Sequence, residues 1–149
     1  MSYDDARYLV DTNALSKIGR RRRAAQYFHD RAMLPSEVLH EAEGSPDIQR
    51  LRQLEFKTTP GVLQALLEVM KTVPADDSSL INLYKNQGGA DPILVACALV
   101  AMDDAGKYLF GDEWVVVSED QAVCALAAKF GVPVVAPGEF EQRIDEAAS

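Results

Sequence analysis

Short unbroken apolar runs alternate along this chain with longer stretches whose apolar residues fall at helical spacing. That alternation predicts strands buried on both faces, connected by helices. The first run, Tyr8-Leu9-Val10, stops abruptly at Asp11, and Thr12 or Asn13 can cap a helix starting near Ala14. The helix meets Gly19 and then Arg20-Arg21-Arg22-Arg23, and a further helical segment covers 24–32. Ala32-Met33-Leu34-Pro35 reads as a second short strand. Ser36 opens a helix through Glu43, stopped by Gly44 and Pro46. A short helix over about 46–54 and a short third strand at 55–58 follow.

Pro60 begins the most hydrophobic helix, where Val62, Leu63, Leu66, Leu67, Val69 and Met70 form a wide stripe suited to core or subunit contact. Pro74 and Asp76-Asp77-Ser78 break the pattern before a helix over 79–86. Gly88-Gly89 ends that helix, and Asp91-Pro92 opens the next, with aspartate as cap and proline in the first turn. The segment from Ile93 to about Asp103 is nearly all apolar and belongs at the centre of the fold. Trp114-Val115-Val116-Val117 is the clearest strand, and Ser118 and Gln121 have capping-box spacing for a helix through Phe130. A last strand over 132–136 and a turn at Pro137-Gly138 lead into an acidic terminal helix. The whole predicts one α/β domain over 1–149, a sandwich of helices around a parallel sheet.

Charge changes this picture in one respect. Fifteen Lys and Arg face 23 Asp and Glu, a formal net charge of −8, which argues against a generally basic nucleic-acid coat. It leaves room for a local basic patch, or for a cation that neutralises clustered acids. Arg20, Arg21, Arg22 and Arg23 are either a solvated face or a contact for phosphate or a partner. His29 and His40 stand apart from each other and from the cysteines, which excludes an obvious zinc site. Cys97 and Cys124, both in apolar helical patterns, read as reduced thiols. With no secretory pattern and no apolar run of membrane-spanning length, the expected location is the cytoplasm, with no membrane partner. Gly88-Gly89 matches no phosphate loop or dinucleotide pattern.

The acids carry the candidate chemistry. Asp11 and Asp120 stand just past the carboxyl ends of strands, where ligands sit in open parallel sheets. Asp91 lies at a helix start and Glu41 inside a helix that follows a strand. Four converging carboxylates repel one another and need a cation or shared protons. A hard divalent ion such as Mg²⁺ takes oxygen ligands and keeps several waters, which suits phosphate chemistry. Each acid also has a plain structural role available. Asp91 can be only a cap, Asp120 only a favourable first-turn charge, and Glu41 a solvated face with Glu37 or Glu43 turned inward.

Four segments, in this order, resemble the PIN-domain family of metal-dependent ribonucleases, which includes the VapC-type toxins of toxin–antitoxin modules. They are Tyr8-Leu9-Val10-Asp11-Thr12-Asn13-Ala14-Leu15, Val38-Leu39-His40-Glu41, Gly89-Ala90-Asp91-Pro92-Ile93-Leu94-Val95-Ala96 and Val116-Val117-Ser118-Glu119-Asp120. The resemblance implies a five-stranded parallel sheet and Mg²⁺ or Mn²⁺ held by Asp11, Glu41, Asp91 and Asp120, with Asn13 and Ser118 in support. It also implies an RNA substrate cut by hydrolysis to 5′-phosphate and 3′-hydroxyl ends, a homodimer, and an antitoxin that occupies the groove. Glu119 departs from the family pattern, where a neutral residue is frequent, and so does the strongly basic Arg20 to Arg23 run. The alternative expectation is a PIN-like fold serving as an RNA- or protein-binding regulatory module with little catalysis.

Overall fold

A computed structural model describes residues 6–72, 90–107 and 111–149, with the backbone alone at 90 and 91. Five strands form one sheet: β1 (Ala6–Val10), β2 (Ala32–Pro35), β3 (Glu55–Phe56), β4 (Glu113–Val117) and β5 (Val134–Val135). The spatial order is β3-β2-β1-β4-β5, and each neighbouring pair is parallel. The chain thus builds outward from β1 through β2 to β3, then returns to add β4 and β5 on its other side. This reversal makes the seam between β1 and β4 the topological switch point, outside whose carboxyl ends such sheets bind ligands.

The helices are α1 (Thr12–Arg23), α2 (Gln26–Arg31), α3 (Ser36–Glu41), α4 (Ile48–Leu51), α5 (Pro60–Met70), α6 (Ala90–Ala105), α7 (Gln121–Lys129) and α8 (Pro137–Ala148). Alternate residues of the central strands feed two separate cores, because successive strand side chains point to opposite faces. Ala6, Tyr8 and Val10 of β1, with Val115 and Val117 of β4, pack with residues of α1, α2, α3 and α8. Leu9 and Val116 point the other way, into a core with residues of α5, α6 and α7. The sheet is therefore the middle of three layers, as the apolar runs predicted. The Tyr8 ring is fully buried, and its hydroxyl accepts a 2.8 Å bond from Arg143 Nη1 of α8.

Several boundaries differ from the expected ones. The Gln26–Arg31 helix starts later than residue 24, the Ser36 helix ends at Glu41, and the last strand shrinks to two residues. Pro137 and Gly138 lie inside the first turn of α8 instead of forming a turn before it. In α1 the backbone kinks at Gly19, whose φ of 79° is a left-handed value that any side chain would strain. The break at 74–78, the helix over 79–86 and Gly88-Gly89 lie outside the described residues. Among the described residues no helix is long and apolar enough to cross a membrane, and Cys97 and Cys124 are free thiols.

The arginine run divides. Arg23 is 8 % exposed and forms a two-pronged ion pair with Asp47, both contacts at 3.0 Å, while its Nη1 donates to Leu15 O. Arg22 bridges to α8 through Asp145 and Glu141. Arg20 and Arg21 are exposed. Half of the run therefore holds α1 in place, and the other half faces solvent.

Candidate functional site

Asp11 is the first residue after β1, and its amide donates to Val117 O of β4 at 3.2 Å. The end of β1 is thereby fastened to the end of β4. From there the Asp11 carboxylate turns back and accepts a 2.7 Å bond from Ala14 N, capping α1. The expected cap at Thr12 or Asn13 is corrected: the helix begins one residue after the strand, so the aspartate occupies the capping position. Asn13 is exposed on the first turn. The Asp11 residue is only 4 % exposed, and among the described residues it forms no ion pair.

On the β4 side the chain runs Ser118-Glu119-Asp120 into α7. Ser118 is fully enclosed at 1 % exposure. Its hydroxyl accepts from Asp120 N at 3.2 Å and lies near enough to the Asp11 carboxylate to favour its ionised form, so one side chain adjoins both strand ends. Asp120 Oδ1 accepts from Ala122 N and Val123 N at 2.9 and 3.1 Å and caps α7. The capping box expected from Ser118 is thus replaced by a cap two residues later. Glu41, in the last turn of α3, joins from the β2 side through a 3.1 Å bond donated by Thr12 Oγ1. This role of Thr12 had no sequence signal, because its partner lies on another strand–helix unit.

The electrostatics agree with a concentration of negative charge. Burial raises the Asp11 carboxyl above its ordinary value, and the nearby Asp120 charge adds to the rise. Hydrogen bonds from Ser118 and Ala14, and the Lys17 ammonium, oppose it. Glu41 is exposed as a residue, but its carboxyl end is partly desolvated and is likewise raised. The Thr12 bond opposes that shift, and the charges of Glu37 and Asp11 favour it. Even the Cys124 thiol, whose Sγ lies 3.9 Å from Ser118 O, is raised by burial and then by Asp120 and Asp11.

Asp11, Glu41 and Asp120 therefore gather at the carboxyl edge of the sheet, around the switch point. The side chain of Asp91, the fourth expected acid, lies outside the described residues; its backbone stands in the first turn of α6. Among the described residues no three His, Cys, Asp or Glu side chains approach closely enough to form a ready-made donor group. A hard cation that keeps most of its waters needs only one or two carboxylates from the protein. A buried aspartate without an ion-pair partner among the described residues, beside a second carboxylate, is a donor set that fits such an ion. Neither protein-family models nor curated proteins match this chain.

Proposed function

We propose that the protein is a Mg²⁺- or Mn²⁺-dependent endoribonuclease of the PIN type, acting at the acidic edge formed by Asp11, Glu41 and Asp120. The observation that carries this reading is the buried Asp11 carboxylate at the switch point, without an ion-pair partner among the described residues and within the electrostatic reach of two further acids. Burying a carboxylate with no opposite charge in direct contact is costly, and a bound cation is the usual compensation.

Asp11 and Asp120 would hold the ion, with Asp91 and Glu41 as further ligands or as groups that orient water. The ion, when bound, supplies charge neutralisation on phosphoryl oxygens and acidifies a water for in-line attack. The protein's own contribution is positional. Ala14 N fixes the Asp11 carboxylate, Ser118 Oγ holds the Asp120 backbone beside it, and Thr12 holds Glu41 against the edge. Both aspartates keep one oxygen tied to a helix amino terminus, so their remaining oxygens have little freedom to turn away. Such fixed orientation is what electrostatic catalysis requires.

RNA is the substrate in this reading. A homodimer would cover the exposed Leu63 and Leu67 of α5, each 53 % accessible, and an antitoxin would close the acidic edge. The primary test is incubation of purified protein with mixed RNA in Mn²⁺, with and without chelator. Chelator-sensitive cleavage supports the enzyme, and its absence at high protein concentration supports the binding-module alternative.

The divided arginine run gives a further prediction. Arg20 and Arg21 are exposed and form no ion pair among the described residues, whereas Arg22 and Arg23 are committed to carboxylates. Replacing Arg20 and Arg21 by glutamine should lower the slope of log affinity for single-stranded RNA against log salt by about 0.7 for each phosphate that is no longer neutralised. An unchanged slope returns both residues to the solvated face.

A further inference from the structure

One ion pair lies across the acidic edge. Lys17 stands on α1, six residues after Asp11, and Glu119 lies between Ser118 and Asp120 on the β4 side. Lys17 Nζ pairs with Glu119 Oε1, which ties α1, capped by Asp11, to the segment that carries Asp120. The two side chains are 53 % and 49 % exposed. An ion pair this accessible adds little to stability and opens readily, so the fold does not explain its presence. The ammonium also lies near enough to bear on the Asp11 carboxyl.

We infer that Lys17 is the cation that receives the substrate phosphate at this edge, and that Glu119 holds it in the free protein until a phosphate oxygen displaces the carboxylate. The inference rests on the nuclease reading and deepens it. A polyanion approaching three carboxylates meets repulsion, and a positive side chain at the mouth is the remedy this chain supplies. Lysine suits the task, because its compact ammonium with three donors binds phosphate oxygens from many directions. The exchange is like for like, one anionic oxygen replacing another. Beyond Lys17, past the kink at Gly19, Arg20 and Arg21 are exposed as well. The neighbouring arginines Arg22 and Arg23 are committed to Asp145, Glu141 and Asp47, which leaves Lys17 as the cation of α1 positioned beside Asp11.

The geometry makes Glu119 a brake, and a brake that acts through one partner can be tested as a cycle. Affinity for a labelled single-stranded oligoribonucleotide is measured in chelator over a range of salt, where cleavage is off. KM for Mn²⁺-dependent cleavage is measured in parallel. Lys17→Gln is expected to weaken binding about fivefold and to reduce the salt slope by about 0.7, the share of one neutralised phosphate. Glu119→Gln is expected to tighten binding several-fold, and to have no effect once Lys17 is already glutamine. A Glu119→Gln gain that persists in the Lys17→Gln background would mean that Glu119 acts only as a repelling charge, and would overturn the inference. If the unsubstituted protein neither binds RNA nor cleaves it in Mn²⁺, the nuclease reading falls and this one with it. If it cleaves and Lys17→Gln changes neither affinity nor KM, this inference falls alone.

Discussion

Asp11→Asn is expected to reduce Mn²⁺-dependent RNA cleavage by at least about a hundredfold, the upper end of what changing a mere outer-sphere partner costs a metal site. The same substitution should leave the metal-free protein melting at an equal or higher temperature. Asparagine is as good a helix cap as aspartate, so the bond from Ala14 N can be kept. What disappears is a buried charge with no ion-pair partner among the described residues. Because burial, reinforced by Asp120, raises the Asp11 carboxyl in the folded state, the folded protein takes up that proton more readily than the unfolded chain. Stability linked to this group is therefore complete below the ordinary aspartate value of 3.8 and is lost as pH rises through the raised one. At neutral pH the ionised carboxylate is a cost that asparagine removes. The gain in melting temperature should accordingly be largest near neutrality and fade as pH falls toward the ordinary aspartate range. Thermal melts in chelator across that range, beside cleavage assays in Mn²⁺, check both halves. Undiminished cleavage would remove Asp11 from the site; a lower melting temperature at neutral pH would contradict the buried-charge account.

The layered fold was legible because its strands are buried on both faces. Tyr8 to Val10 and Val115 to Val117 cannot read as anything but interior, and the alternation of their side chains between two cores follows from pleating alone. The positions of Asp11 and Asp120 at strand ends were legible for the same reason. Their capping role was not, because Thr12, Asn13 and Ser118 offered equally good caps and sequence cannot choose among adjacent candidates. Cap and site need not be rival explanations. One oxygen of each aspartate serves a helix, and that bond is what aims the rest of the carboxyl. The contacts that no sequence pattern announced are those between distant units. Thr12 meets Glu41 across 29 positions, and Lys17 meets Glu119 across 102. Periodicity reports which face a residue occupies, and is silent on which partner waits there.

Asp47→Ala is expected to be the most damaging single change to the fold outside the apolar cores, lowering stability by about 2–3 kcal/mol. Breaking a buried ion pair from one side costs about 3–5 kcal/mol, because the surviving charge stays desolvated. The lower figure applies here since Asp47 keeps 22 % of its side-chain surface and Leu15 O still accepts one Arg23 donor. For a chain of this size that corresponds to a melting temperature about 5–10 °C lower. The reverse deletion should cost less. Arg23→Met removes the more buried partner, 8 % exposed, and keeps much of its apolar volume, while the stranded Asp47 carboxylate can still reach water. Arg20→Gln, at an exposed position of the same run, should stay within about 0.5 kcal/mol of the unsubstituted protein. Denaturant melts of the three variants decide the matter. The order Asp47→Ala, then Arg23→Met, then Arg20→Gln would establish that the basic run is half scaffold and half free surface. Equal and small effects would mean that the Arg23–Asp47 pair does not hold α1 in solution, and Arg23 would join Arg20 and Arg21 as open to phosphate.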